Sequence, residues 1–113
     1  MTTTGVMHLV LFKLKDSLTE EQVKEFCDDM LALKSLCVHH ETREPYIINS
    51  SGGRDNSPEG AQGGFTHGFV VEFSNEEQRD YYVFKDPAHQ AFVKKNSPRF
   101  DDVRVLDYTK SVY

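Results

Sequence analysis

"MHLVLFKL", Met7 to Leu14, is apolar on both sides if the chain is extended. His8, Val10, Phe12 and Leu14 fall on one face and Met7, Leu9, Leu11 and Lys13 on the other. A strand of this kind is covered on both faces. In a chain of 113 residues the helices supply one cover. The second is expected from another copy of the chain, which predicts a homodimer.

Downstream of this strand, "SLTEEQVKEFCDDMLALKSL" carries the marks of a helix start: Thr19 as N-cap, Gln22 completing a capping box, and Leu18 with Val23 as a hydrophobic staple. Val23, Phe26, Cys27 and Met30 then share one helical face. "VHHETREPYIIN", residues 38–49, reads as a second strand, with Pro45 marking an edge or a bulge. Residues 50–64, "SSGGRDNSPEGAQGG", are rich in Gly, Ser and Pro and lack apolar periodicity, so they read as a flexible loop, either a lid over a site or a surface insertion.

"GFTHGFVVEF" is a third strand with Phe65, His67, Phe69, Val71 and Phe73 on one face and Thr66, Gly68, Val70 and Glu72 on the other. Ser74 and Glu77 are placed to form a capping box for the helix "EEQRDYYVF", which stops near Lys85 because Pro87 disfavours helical geometry before it. Asp86 then caps a new helix with Pro87 in its first position, running to Pro98. "DVRVLDY" closes the chain as a last strand. Strand, helix, strand, strand, broken helix, strand is the ferredoxin-like plan, an α+β fold with one four-stranded antiparallel sheet and its helices on one face.

Composition narrows the function. The chain is 38% hydrophobic and 27% charged with net charge -5, which fits one globular domain and offers no basic stripe for a nucleic-acid backbone. No apolar run approaches membrane length and the first residues do not resemble a secretion signal, so a cytoplasmic protein with no membrane partner is expected. Cys27 and Cys37 lack metal-ligand spacing and read as reduced, buried thiols.

The chemistry gathers on histidines. His89 is the third residue of its short helix, where the helix dipole disfavours protonation, so a neutral imidazole is available as a base. The free first-turn N–H groups beside it are expected to steady an oxyanion. A purely local packing role for His89 is the alternative. His8 and His67 lie on apolar strand faces, where a polar side chain needs a partner, and with His89 they are expected to converge on one cavity. His39 and His40 fall on a different, exposed strand, and no spacing matches a zinc site, so no metal is expected. Without a phosphate loop, a nucleophile elbow or a positioned cysteine, acid/base chemistry with no cofactor is what remains.

"MHLVLFKLKDSLTEEQ", "GFTHGFVVEF", "DPAHQAF" and the closing "LDY" together resemble the stress-responsive dimeric α/β barrel (Dabb) family, which includes plant polyketide cyclases. The resemblance implies a ferredoxin-like protomer dimerised through its sheet, with a pocket between sheet and helices. It implies that His89 is the catalytic histidine, that His8 and His67 line the pocket, and that Val10, Phe12, Phe26, Met30, Phe69 and Val71 form its apolar wall, Met30 in place of a tyrosine. The family's catalytic tyrosine falls at Val83, and Tyr82, about 100° away around a helix, is the candidate substitute. The implied activity is an aldol or Claisen-type cyclisation of a polyketide-like ligand or another small apolar carbonyl compound. The family also includes stress-induced proteins without evident catalysis, so a non-catalytic ligand-binding dimer is the alternative function.

Overall fold

The computed structural model describes residues 5–113. The chain runs β1 (Val6–Leu14), α1 (Glu20–Leu36), β2 (Asn49–Arg54), β3 (His67–Phe73), α2 (Glu76–Phe84), α3 (Pro87–Asn96), a 3-10 turn (Ser97–Arg99) and β4 (Phe100–Thr109). The sheet has the order β2-β3-β1-β4, antiparallel throughout, which is the ferredoxin-like arrangement. β1 is central: His8 lies opposite Val71 on one side and Asp107 on the other, and Phe12 lies opposite His67 and Val103.

Local chemistry places the helices. The Gln22 N–H donates to Thr19 Oγ1 at 3.1 Å while the Thr19 N–H donates to Gln22 Oε1 at 2.9 Å, the full capping box. The inner face of α1 buries Phe26, Met30 and Leu33 against the sheet. α2 is capped one residue later than the sequence suggests. Asn75, not Ser74, accepts from the Gln78 N–H, and Gln78 Oε1 takes the Ser74 N–H, so Glu77 has no part in the box. An Asn at this place caps as well as a Ser, and its register lets Gln78 serve as the returning partner.

The second strand differs most from expectation. Residues 38–48 form a loop with one isolated bridge, Val38 to Pro45, and β2 lies in the first part of the stretch read as a flexible loop. Tyr46 and Ile47 are buried, which imitates a strand pattern, but they are anchors of a loop crossing the core. β2, "NSSGGR", has no apolar side chain to betray it. What admits it is space: a Cβ on Gly52 would stand 2.1 Å from Cδ1 of Phe69, so only glycine lets the edge strand approach β3. His39, expected on an exposed strand, is buried in the 38–48 loop.

The covered face of the sheet holds a continuous aromatic cluster. Phe12 meets Phe26 at 4.9 Å and Phe100 at 5.1 Å between ring centroids, and Phe26 meets Phe92 at 5.5 Å. The other face carries no helix. Met7, Leu9 and Val70 are half-buried there, while Leu11, Leu106 and Tyr108 are exposed. Both cysteines are free thiols; Cys37 is buried and Cys27 only half-buried.

Candidate functional site

A cavity of about 580 Å³ opens between the sheet and the α2–α3 break. Its floor is β1 and β4, which contribute His8, Val10, Phe12, Val103, Val105 and Asp107. Its wall is Met30, Tyr82, His89 and Phe92, and the exposed Phe84 and Val93 stand at its rim. The lining is mostly apolar; its polar members are the two imidazoles, the Tyr82 side chain and the charged Arg79, Asp80 and Asp107.

His89 reaches this place through the break between the helices. Asp86, which is 1% exposed, accepts the Ala88 N–H at 2.8 Å and so starts α3, with Pro87 satisfying the first helical position. The Tyr46 hydroxyl donates to the other oxygen of Asp86 at 2.5 Å, tying the cap to the 38–48 loop. His89 stacks on Tyr82 with ring centroids 4.0 Å apart. Burial lowers the pKa of His89; the Tyr82 main chain partly offsets this, His8 adds to the lowering, and Asp86 raises it. His89 is therefore neutral at pH 7, and its Nδ1 is buried without a hydrogen-bond partner among the described residues.

His8 is held differently. Its Nδ1 lies 2.7 Å from Asp107 Oδ1, and Arg79 donates to Asp107 Oδ2 at 2.9 Å. A carboxylate paired with a guanidinium can only accept, so the hydrogen of His8 sits on Nδ1 and Nε2 carries the lone pair. Burial lowers the pKa of His8, Asp107 works against that by charge and hydrogen bond, and Arg79 lowers it slightly. Asp107 is the cavity residue that sequence reading missed. It sits inside the quoted "LDY", but its partner is 99 residues away and only the β1–β4 register joins them.

The cavity does not gather every expected residue. His8, His89, Val10, Phe12, Met30 and Tyr82 line it. Phe26, Phe69 and Val71 lie behind it in the core. His67 is not there: it lies opposite Phe12, four residues along β3 from Val71, or about 13 Å from the His8 level. The aromatic cluster stands between. Of the first-turn amides, the Ala88 N–H goes to Asp86 Oδ1 at 2.8 Å and the Gln90 N–H to the Asp86 carbonyl at 3.0 Å. Tyr82 presents its ring to the cavity, but its hydroxyl is buried towards Cys37 and Asp86, without a partner among the described residues.

Metal ligation gets little support from the rings. His39, His40 and Glu41 have ligand atoms within 4.8 Å of one another. The two imidazoles, however, stack nearly parallel, 27° apart with centroids at 4.6 Å, and in-plane lone pairs on parallel rings do not converge on one ion. His39 Nδ1 already accepts the Glu41 N–H at 3.2 Å.

A four-stranded antiparallel sheet with helices on one face and a histidine-bearing apolar cavity between the layers defines a ferredoxin-like α+β protein. Residues 6–110 match the Stress responsive A/B Barrel Domain, and the chain belongs to that family. It is 28% identical over 105 residues to olivetolic acid cyclase of Cannabis sativa, covering 93% of this chain and 96% of that protein. The Arabidopsis thaliana protein At3g17210 superposes with a TM-score of 0.82 at 27% identity, covering 96% of this chain and 97% of its own. Hydroxynitrile lyase of Passiflora edulis shares the fold with a TM-score of 0.80 at 22% identity over 99% of both chains. A dimeric ferredoxin-like protein of Thermobifida fusca does so at 0.70 and 22%, over 94% of this chain and 91% of its own.

Proposed function

We propose that the protein is a cofactor-independent acid/base enzyme acting on a small, largely apolar carbonyl compound, by aldol or Claisen-type cyclisation of a polyketide-like chain. The observation that carries this reading is the pair of imidazoles, both held neutral by burial, at the inner end of an apolar cavity, one of them backed by a carboxylate. The likeness to olivetolic acid cyclase supports the choice of substrate class. His89 removes a proton flanked by two carbonyls. His8, whose positive form Asp107 can stabilise, takes up and returns protons at the other side of the enolate. Tyr82 fixes the plane of the His89 ring by stacking. Phe12, Phe92 and Val105 exclude water and fold the chain.

The working unit in this reading is a homodimer. Met7, Leu9, Leu11, Val70, Leu106 and Tyr108 make an apolar sheet face that no helix covers, and the Thermobifida fusca relative is dimeric. Light scattering should give twice the 13.0 kDa monomer mass. A monomer mass in dilute solution overturns the dimer.

Activity is tested with linear poly-β-keto thioesters, following cyclised products by mass spectrometry. His89→Ala and Asp107→Asn should each lower turnover by roughly 10² or more with the fold intact. Native protein that stays folded and dimeric but converts no such substrate favours the ligand-binding alternative.

A further inference from the structure

Asp86 is held at every polar atom, yet its carboxylate has no cation beside it. Its Oδ1 accepts the Ala88 N–H at 2.8 Å as the cap of α3, and its Oδ2 accepts the Tyr46 hydroxyl at 2.5 Å. Its own N–H donates to the Tyr81 carbonyl at 2.9 Å, and its carbonyl accepts the Gln90 N–H at 3.0 Å. The residue is fully buried, and among the described residues it enters no ion pair. Capping does not ask for this. Asn and Ser cap a helix as well as Asp does, and α2 is capped by Asn75. Burying a charge that no cation balances is unfavourable, and the helix dipole offsets only a small part of that.

The group beside it that can become a cation is His89. Asp86 is the cap of α3 and His89 the third residue of that helix, the same pair of positions that a capping box brings together. The other ionisable groups around the imidazole are already balanced or neutral. His8 of β1 is paired with Asp107 of β4, and Arg79 of α2 is paired with Asp107 and with Asp80. Burial pushes the Cys37 thiol and the Tyr46 and Tyr82 hydroxyls upward, so all three stay neutral at pH 7. On His89 itself burial is the main influence and lowers the pKa, His8 adds to the lowering, and the Tyr82 main chain and the Asp86 charge oppose it.

We propose that Asp86 is a positioning residue for the reaction proposed above: clasped by Tyr46, its buried carboxylate fixes the start of α3, which carries His89, and supplies the countercharge for the imidazolium that forms when His89 takes a proton. This rests on the acid/base reading of His89. In the resting protein the ring is neutral and stacked on Tyr82. When the substrate C–H bond breaks, its electron pair stays on the substrate as the enolate and its proton goes to the imidazole. The positive ring then forms beside a carboxylate already held in place, so no side chain has to reorganise. Return of the proton to the product restores the neutral ring. Asp86 does this from behind the cavity, whose lining does not include it.

Asp86→Asn isolates the charge, because the amide oxygen still accepts the Ala88 N–H and the amide nitrogen donates to the Tyr46 hydroxyl, which accepts as readily as it gives. Asp86→Ser, which also caps without charge, takes its place if the Asn variant does not fold. The first readout needs no substrate: the imidazole resonances of His89 and His8 are followed by NMR against pH. His89 should hold its proton roughly tenfold more weakly in the variant, while His8 titrates nearly as before. An unchanged or higher proton affinity at His89 overturns the proposal, since a carboxylate that only caps gives that result. A native His89 that stays neutral down to the pH at which the fold is lost overturns it too. The second readout uses a linear poly-β-keto thioester. The acid limb of turnover should move to lower pH and kcat should fall several-fold, with KM little changed. If native protein converts no such substrate the proposed reaction fails, and the NMR titration still decides whether the Asp86 charge serves His89.

Discussion

The two ends of the covered sheet face each hold a buried histidine on the same side of its strand, yet the two are held by different chemistry. His8 leans on a carboxylate that is itself paired with Arg79. His67 leans on the Thr66 hydroxyl, 2.8 Å from its Nδ1, which also lies 3.2 Å from the Phe12 carbonyl. A carboxylate can stabilise an imidazolium, so His8 can gain and lose a proton during a reaction. A hydroxyl carries no countercharge, so a positive ring at His67 lacks the stabilisation that Asp107 offers at His8, and burial and Arg54 hold its pKa down. The partner, more than the burial, decides what each histidine can do.

The strongest way to break this contrast is to remove the wall between the two ends. Phe12 is buried among four other phenyl rings, and Phe12→Ala should cost about 3–5 kcal/mol in urea unfolding. If the protein survives, ligands at one end should perturb resonances at the other. A loss of less than about 1 kcal/mol would mean the cluster is not the partition described here.

Acid should act on both ends together. Burial depresses the pKa of His8, His67 and His89 below the ordinary 6.5, so on acidification the unfolded chain takes up protons before the folded one does. Stability is therefore full above pH 6.5 and declines as the pH falls through the lower folded values. Thermal denaturation between pH 7.5 and 5 measures it, and a flat profile would contradict the neutral imidazoles. Turnover should decline in the same direction, since a protonated base cannot accept.

The smallest expected effect sharpens the reading of the tyrosines. Tyr82→Phe keeps the ring that stacks on His89 and removes a hydroxyl with no partner among the described residues, so the protein should become more stable by about 1 kcal/mol with turnover nearly unchanged. A loss of roughly 10² in turnover would instead show the hydroxyl turning out to meet the enolate. Tyr81→Phe should do neither, because Tyr81 packs on His39 and His40 outside the cavity.

Much of this layout is legible in the chain because the signals are local. The two-faced β1, the Thr19 box and the Asp86–Pro87 start each need only a few neighbouring residues, and all three appear as read. β2 escapes because "NSSGGR" is admitted by the room beside Phe69, and a requirement for emptiness has no apolar pattern. The expected meeting of His67 with His8 and His89 fails on strand register, which sets Phe12 rather than His8 opposite His67. Asp107 escapes for the same reason: alternation tells which face a residue takes but not which residue it meets.

The central position of β1 also sets an order of events for the chain as it is made. The strand emerges early, yet its β4 neighbour follows only after most of the domain, with His8 and Asp107 separated by 99 residues. Until then a strand apolar on both faces waits with one edge unpaired. Contacts this distant are slow to close, and an exposed apolar edge invites pairing with other nascent chains. The same strand that organises the mature sheet is thus the segment most in need of protection during synthesis, and substitutions that weaken β4 should reduce soluble yield before they reduce the stability of protein already folded.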